Sequence, residues 1–266
     1  MKIGYIQFKP ELANLKDTIS YLDILIDKAS IADLIVLPEL CNSGYNFKNF
    51  NMAFETSEKI SDSIFIEFLI SKAKLYNIYI VSGFNERDNN TIYNSSVLVG
   101  PEGYIGKYRK IHLFMNEKDY FKPGDTGLPV FDINFCKIGI LICFDWMYPE
   151  VWRILALKGA HIICHPSNLI LKGLAQRGIP VHSLINKIFI ITSNRIGKED
   201  QLTFTGLSTI ADPNGSVLVQ GPETNDHVGL IDIDISLADN KNITSKNHIF
   251  EDRRPEEYKY LIQNKT

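Results

Sequence analysis

The chain has 266 residues, of which 45% are hydrophobic and 22% charged, and its formal net charge is −3. This composition is ordinary for a soluble globular protein, and the small negative charge gives no support to a nucleic-acid-binding or membrane-surface role. The length allows one large domain or two small ones.

Strands and helices alternate along the first half of the chain. Apolar residues recur at helical spacing in two stretches, and short apolar runs bounded by Pro, Gly or Asn indicate strands between them. The predicted elements are a strand at 2–8, a helix from Pro10 to Ala29, a strand at 32–39, a helix at about 60–76, a strand at 78–84, a turn at 87–90, a strand at 95–100 and a tight turn at 101–103.

The second half continues the alternation and adds a hairpin. The predicted elements are a Gly/Pro loop at 123–129, two strand-like runs within 130–144, a helix at 149–160, a strand and loop at 161–169, a helix at about 175–187, a strand at 189–197, a hairpin at 208–220 and a strand at 228–235. We found no linker, repeat or low-complexity segment. The pattern predicts a single α/β domain over 1–266 with mixed sheets and a polar C-terminal tail from about 239.

The sequence also carries signals of cellular location. It has no apolar run long enough to span a bilayer, and its first residues do not form a signal-peptide core. The four cysteines show no CxxC pair, which favours free thiols in a reducing compartment. We therefore expect a cytosolic protein without a membrane or nucleic-acid partner.

Three reactive side chains follow apolar or β-rich stretches. Glu39 lies in LPEL, Lys110 in KYRKIHLF, and Cys143 ends the run IGILIC. A thiol is mostly protonated at neutral pH and needs a base, for which Glu39 is suited, while Lys110 and the backbone N–H of Phe144 could stabilise an oxyanion. Taken singly, each has an ordinary structural explanation: a helix cap, a solvated lysine and a buried thiol.

The ordered set LPEL, KYRKIHLF and ICFDWMYPE resembles the nitrilase superfamily of carbon–nitrogen hydrolases. The similarity extends over essentially the whole chain, through NEKDYFKPGD, HPSNL, NRIGKE and DRRPEEY. It implies a four-layer αββα sandwich and a Glu-Lys-Cys triad at Glu39, Lys110 and Cys143. It also implies a second glutamate, matched by Glu117, and chemistry without a metal or organic cofactor.

Several residues near these motifs are candidates for substrate contacts. Tyr45, Phe144 and Trp146 could line the pocket, although aromatic residues after strands are more often core. Asn168 in HPSNL matches a family position near the substrate. The nearby histidines and Cys164 do not form a convincing metal site, because strand geometry would direct them to opposite faces.

The resemblance predicts hydrolysis of a small aliphatic amide through a thioester acyl-enzyme, with release of ammonia. A nitrile or an N-carbamoyl amine is the alternative substrate. A Cys-His hydrolase, a non-enzymatic scaffold and a thiol-redox protein are other classes that we considered, and the Glu-Lys-Cys set fits the sequence better than any of them. The resemblance also implies at least a homodimer, because the C-terminal segment of this family often crosses onto a partner subunit. We expect the charged tail with Arg253 and Arg254 to lie near that interface.

Overall fold

The computed structural model of the protein describes residues 1–263. In the first half, the elements are β1 (Lys2–Gln7), α1 (Leu15–Lys28), β2 (Leu34–Val36), α2 (Phe50–Glu55), α3 (Ile64–Tyr76), β3 (Tyr79–Asp88), β4 (Thr91–Gly100), β5 (Gly103–Arg109) and α4 (Glu117–Tyr120). In the second half, they are β6 (Val130–Asp132), β7 (Lys137–Ile140), α5 (Pro149–Leu157), β8 (Ile162–Ser167), α6 (Leu174–Asn186), β9 (Phe189–Asn194), β10 (Lys198–Glu199), β11 (Leu202–Thr203), β12 (Thr209–Ala211), β13 (Val217–Gln220), β14 (His227–Asp232), β15 (Asn242–Thr244) and β16 (Asn247–His248).

Two six-stranded mixed sheets form the centre of the fold. The first has the strand order β14-β1-β2-β3-β4-β5 and the second β13-β12-β9-β8-β7-β6. Strands β1, β2 and β3 run parallel to one another, as do β7, β8 and β9. Parallel strands bring their carboxyl ends to one edge of a sheet, which is where α/β proteins place functional groups.

Alternating side chains join the sheets into four layers. Ile3 and Tyr5 of β1 pack in the cluster that also contains residues of β7, β8 and β9, whereas Ile6 belongs to a cluster with α1 and α3. This division follows from the period of two in a strand. Helices α5 and α6 add Trp152 and Ile179 to the first cluster. The predicted αββα sandwich is confirmed.

Side-chain caps and a left-handed residue mark the ends of the helices. The Asn14 side chain accepts the Asp17 N–H at the start of α1, and Ser63 caps α3 in the same way. Asn77 ends α3 in the left-handed conformation. In the part of the chain that the structure describes, no helix is long and apolar enough to cross a bilayer.

Several predictions of element boundaries were wrong, and one short helix was missed. Helix α1 begins at Leu15 rather than at Pro10. Strand β4 begins at Thr91 rather than at residue 95, because β-favouring residues extend the hairpin with β3. The short helix α2 was missed, since six residues are too few to show a helical period. Strand β7 ends at Ile140, so Cys143 lies beyond the strand and opens a short 3₁₀ turn that runs to Met147.

Candidate active site

Glu39, Lys110 and Cys143 come from three strands and meet between the sheets. Glu39 follows β2 closely, and a Cβ at Gly83 of β3 would lie 2.3 Å from its Cα, so only glycine at that position lets the two backbones pass. Lys110 directly follows β5, and its N–H donates to the Asn94 carbonyl at 2.8 Å. The three side chains are at most 4% exposed.

The ammonium group of Lys110 lies between two carboxylates. Its Nζ is 2.7 Å from Glu39 Oε1 and 2.8 Å from Glu117 Oε1. Asn94 Nδ2 donates to Glu39 Oε1 at 2.7 Å and approaches Glu117 Oε2 at 3.4 Å. Every member of this group is buried, so each charge interacts strongly with its neighbours.

These charges shift the pKa values in the site. Burial alone would lower the pKa of Lys110, but Glu117 and Glu39 outweigh it and raise the pKa above the usual lysine value. Burial raises the pKa of Glu117 to about 7, with Lys110 opposing the shift and Glu39 adding to it. These shifts favour the charged form of Lys110 and bring the pKa of Glu117 close to neutral pH.

Cys143 lies on a strained turn. Its φ of +42° is in the left-handed region, which a β-carbon disfavours. The fully buried His165 is 2.9 Å from the Cys143 carbonyl oxygen through Nε2. Burial lowers the pKa of His165 to about 4, so the ring is neutral and donates this hydrogen bond. Strain of this kind persists where surrounding contacts enforce it, and such positions cluster at active sites.

The surroundings of Cys143 favour the protonated form of its thiol. Burial and then the negative charge of Glu39 raise its pKa well above the usual value, while Lys110 opposes them. A nucleophilic role therefore requires a nearby proton acceptor. Glu39 Oε2 is buried and has no hydrogen-bond partner within residues 1–263, so this oxygen is free to accept a proton.

Asp145 ties the Cys143 turn to the strand that carries Lys110. Its Oδ2 accepts the Ile142 N–H at 2.9 Å and the Tyr108 hydroxyl at 2.8 Å. Its Oδ1 lies 2.7 Å from His112 Nδ1. One buried carboxylate thus fixes the distance between the two sheets at the point where their reactive side chains meet.

A second buried charge pair positions Tyr45. Arg195 Nη1 lies 2.6 Å from Glu199 Oε1, and Glu199 Oε2 accepts the Tyr45 N–H at 3.2 Å. The Tyr45 hydroxyl then donates to Glu117 Oε1 at 2.8 Å. Glu199 of the small β10–β11 hairpin therefore holds the loop after Glu39 in place and, through Tyr45, the carboxylate of Glu117.

Two cavities flank these residues. The one beside Cys143 measures about 20 Å³, has Asn168 in its wall and is otherwise lined mostly by apolar side chains. Its other lining residues are Phe114, Phe144, Trp146, Leu169, Ile170, Leu171 and Ala175. A cavity of about 140 Å³ lies against Glu117 and Tyr45 and is lined also by Asn116, Tyr120 and Gln201. All the predicted site residues therefore line one of these cavities or contact a residue that does.

The arrangement of thiol, carboxylates and ammonium agrees with the sequence comparison. Residues 2–242 match the family described as carbon–nitrogen hydrolase. The chain belongs to this family. It is accordingly a hydrolase of carbon–nitrogen bonds rather than a non-enzymatic scaffold of the same fold. Cys143 lies in the region of the family's catalytic cysteine.

Known relatives of the family differ in their named activities. A nitrilase from Pyrococcus abyssi is 46% identical over 97% of this chain and 99% of its own. An N-carbamoylputrescine amidase from Arabidopsis thaliana is 34% identical over 71% of this chain and 70% of its own. The crystal structure of an amidase from Nesterenkonia sp. covers 98% of this chain and 96% of its own at a TM-score of 0.81 and 21% identity, which supports the fold.

Three residues of this carbon–nitrogen hydrolase site were given no site role from the sequence. Asn94 bridges the two glutamates, His165 holds the Cys143 carbonyl, and Asp145 links the sheets. Asn94 lies mid-strand without a motif, so only the strand pairing brings it to the site. Among residues 1–263 there is no cluster of three or more His, Cys, Asp and Glu side chains that could hold a metal ion.

Proposed function

We propose that the protein hydrolyses a small aliphatic amide with Cys143 as nucleophile, Glu39 as general base and Lys110 as oxyanion stabiliser. The observation that carries this proposal is the buried Lys110 ammonium 2.7 Å from Glu39, whose Oε2 has no partner in the described chain and whose charge helps to raise the pKa of the Cys143 thiol. This arrangement supplies a nucleophile, a proton acceptor and a fixed positive charge, which are the three groups that acyl transfer needs.

In the first half of the reaction, Glu39 takes the thiol proton and the thiolate attacks the amide carbon. The carbonyl oxygen gains negative charge, which Lys110 and the Phe144 N–H stabilise. Glu39 returns the proton to the nitrogen, the carbon–nitrogen bond breaks, and ammonia leaves a thioester on Cys143. In the second half, Glu39 takes a proton from water, the hydroxide attacks the thioester, and the carboxylic acid leaves as the thiol is restored.

The cavity beside Cys143 supports a small and largely apolar acyl group. Its lining contains no Lys, Arg, Asp or Glu side chain, and its volume of about 20 Å³ holds little more than one water molecule. The Nesterenkonia amidase, which shares the fold, forms complexes with acrylamide and butyramide. Short aliphatic amides are therefore the substrates to test first.

Asn168 favours an amide over a nitrile. Its Nδ2 donates to the Glu39 carbonyl at 3.0 Å, so its Oδ1 must be the free atom of the carboxamide, and this oxygen is buried without a partner in the described chain. A buried acceptor without a donor is costly. The –NH₂ group of an amide supplies such a donor, whereas a nitrile has none.

This preference is tested by product analysis with matched pairs of an amide and the nitrile of the same chain. We expect ammonia from the amide and, in Asn168→Ala, a fall of about 10-fold in the ratio of amide to nitrile kcat/KM, because one hydrogen bond to the substrate is lost. The kcat/KM for the nitrile reports any general loss of activity that results from losing the hydrogen bond between Asn168 and the Glu39 carbonyl. An unchanged ratio would show that Asn168 does not contact the amide nitrogen.

A nitrile is the second candidate substrate, and the 46% identity to the Pyrococcus abyssi nitrilase favours it. An N-carbamoyl amine is a further candidate substrate, because the Arabidopsis thaliana relative is named N-carbamoylputrescine amidase. The identity to that relative is lower, at 34%. Acid and ammonia from the nitrile, with the amide inert, would establish the nitrilase activity and overturn our proposal.

We propose that Glu117 acts in its ionised form, by holding Lys110 from the side opposite Glu39. The Tyr45 hydrogen bond stabilises this carboxylate, so its loss in Tyr45→Phe favours the protonated acid and moves the pKa of Glu117 upward. We expect the acidic limb of the kcat/KM profile to lie near pH 7 and to move to higher pH by about one unit in Tyr45→Phe.

Tyr120→Phe is the matched control for this pH profile. Tyr120 lines the same cavity, but its hydroxyl donates to the Phe47 carbonyl rather than to Glu117. Its profile should coincide with that of the wild type. A shift to lower pH in Tyr45→Phe, or equal shifts in both variants, would contradict the role of Glu117.

We also propose a homodimer formed through α5 and α6. Ile154 and Leu157 on α5 and Val181, Leu184 and Ile185 on α6 are each 40–52% exposed. Monomers rarely expose apolar side chains in such clusters, and a second copy of the same chain is the commonest occupant of such a surface. The described part of the tail lies beside it, where Arg253, Tyr258 and Leu261 line a groove of about 510 Å³.

Light scattering after gel filtration tests the dimer. We expect twice the chain mass of 30.3 kDa for the wild type and the monomer mass for Leu184→Arg, because a buried unpaired charge disfavours association. Leu75→Arg, at a 66% exposed leucine on α3, is the control and should remain dimeric. A monomeric wild type would overturn the proposal.

The cytosolic location expected from the sequence remains a prediction.

A further inference from the structure

Helix α6 contains a glycine in its interior, at Gly178, where most other residues would favour the helical conformation more strongly. Gly178 lies in its first half, between Leu174 and Asn186. Glycine inside a helix costs about 0.5–1 kcal/mol relative to alanine, so such a position needs a packing reason. The packing reason for glycine at position 178 is its neighbour Trp146, whose side chain forms part of the wall of the cavity beside Cys143.

Trp146 lies directly against the backbone of α6 at this point. A Cβ added to Gly178 would be 2.8 Å from Trp146 Cζ3 and 3.0 Å from Trp146 Cε3. Separations below about 3.0 Å do not occur between real Cβ atoms and their neighbours, so the indole would have to move. Trp146 is also one of the residues that line the cavity with Cys143.

The backbone of Trp146 is held to the same face of α6. His182 lies one turn after Gly178, and its Nε2 is 3.0 Å from the Trp146 carbonyl oxygen. Burial lowers the pKa of His182, so the ring is neutral and donates through Nε2. With its carbonyl fixed, Trp146 responds to a new neighbour mainly by rotating its side chain.

Ala175 completes this face of the helix. It lies one turn before Gly178 and lines the cavity together with Trp146 and Cys143. The helix therefore presents a small residue to the cavity, an empty position to the indole and a hydrogen-bond donor to the tryptophan backbone. The missing side chain at Gly178 leaves room for the indole of Trp146, which lines the same cavity as Cys143.

We propose that Gly178 determines acyl-chain length, by leaving room for Trp146 and so setting the depth of the cavity in front of Cys143. This inference rests on the proposed amide hydrolysis and concerns the substrate that the same site accepts. One methylene in an apolar pocket changes kcat/KM by about 10–200-fold, so a small shift of the indole is enough to change the preferred chain.

The test compares acetamide with butyramide as substrates of Gly178→Ala. We expect the ratio of butyramide to acetamide kcat/KM to fall at least about 10-fold, because the indole moves into the cavity. Trp146→Phe should raise the ratio, since a smaller ring deepens the cavity. The double variant Gly178→Ala/Trp146→Phe should return toward the wild-type ratio, because the smaller ring accommodates the new methyl group.

Arg177→Ala is the matched control, since it changes an exposed side chain at the neighbouring position of the same helix. Its ratio should equal that of the wild type, and thermal melting should show all variants folded. An unchanged ratio in Gly178→Ala, a ratio shifted toward butyramide, or a double variant without recovery would each overturn the proposal.

Alkylation of Cys143 tests the same geometry without turnover. The rate constants with iodoacetamide and with the bulkier N-ethylmaleimide can be followed by intact mass, using Cys143→Ala as the blank. We expect the ratio of the bulky to the small reagent to fall in Gly178→Ala and to recover in the double variant. If the wild type hydrolyses no amide, the proposed function fails, while this ratio still decides the role of Gly178.

Discussion

Replacing Cys143 with alanine is expected to lower amide kcat/KM by at least about 10⁴-fold, because the reaction loses its nucleophile and no other group can form the acyl-enzyme. Folding should be preserved, since the substitution removes one sulfur atom beside an existing small cavity. Mixing enzyme with substrate and quenching within one turnover should add the acyl mass to the wild type and nothing to Cys143→Ala. Intact-mass spectrometry measures both.

Cys136→Ala is the control for this experiment. Cys136 is also a buried free thiol, but it lies near Met1 at the other end of the second sheet, with its Sγ 4.0 Å from Met1 Sδ. It should retain the wild-type rate and the acyl adduct. Substantial activity in Cys143→Ala, or an acyl adduct on a different cysteine, would show that the nucleophile is elsewhere.

Replacing Lys110 with methionine is expected to remove activity and also to destabilise the fold. The substitution leaves Glu39 and Glu117 buried without the ammonium that both carboxylates contact. Breaking a buried ion pair by removing one partner costs about 3–5 kcal/mol, so the free energy of unfolding should fall by that amount at pH 8. Urea denaturation followed by circular dichroism measures this change.

The loss of unfolding free energy in Lys110→Met should depend on pH. Without Lys110 the pKa of Glu117 rises further, because the positive charge that opposed the effect of burial is gone. Protonation relieves the uncompensated charge, so the deficit in unfolding free energy should shrink as the pH falls from 8 to 5. A deficit that stays constant would exclude charge burial as its cause.

Two further variants separate charge from shape at Lys110. Lys118→Met removes an exposed lysine of the same loop and should leave both stability and activity unchanged. Lys110→Arg keeps a positive charge beside Glu39 and Glu117, so stability should largely recover, but the planar guanidinium directs its N–H donors differently from the lysine ammonium. We expect activity to remain lost in this variant, which would show that position matters as well as charge.

The sequence was most informative where chemistry is concentrated in short motifs. Glu39, Lys110 and Cys143 each follow a β-rich stretch, and their order along the chain matches the family, so the set could be proposed without coordinates. Each residue reaches the site through a local feature, such as the end of β5 before Lys110. The alternation of strands and helices similarly indicated the α/β class, and the resemblance supplied the layer order.

Contacts between distant parts of the chain could not be predicted. Asn94 reaches Glu39 only because β4 pairs between β3 and β5, and Tyr45 reaches Glu117 only because Glu199 of the β10–β11 hairpin holds its loop. Neither residue lies in a pattern that periodicity would reveal. The position of Cys143 was also missed, because an apolar run does not show where hydrogen bonding to the next strand stops.

The pairing of β14 with β1 has a consequence for synthesis on the ribosome. Lys2 lies opposite Asp232 and Gln7 opposite His227, so the first strand made is completed by one of the last. Until residue 232 has emerged, β1 of the nascent chain presents an open edge, which is the kind of surface on which chains aggregate. The sheet that carries Glu39 and Lys110 therefore closes only near the end of translation, and nascent chains stalled before residue 227 should be the aggregation-prone species.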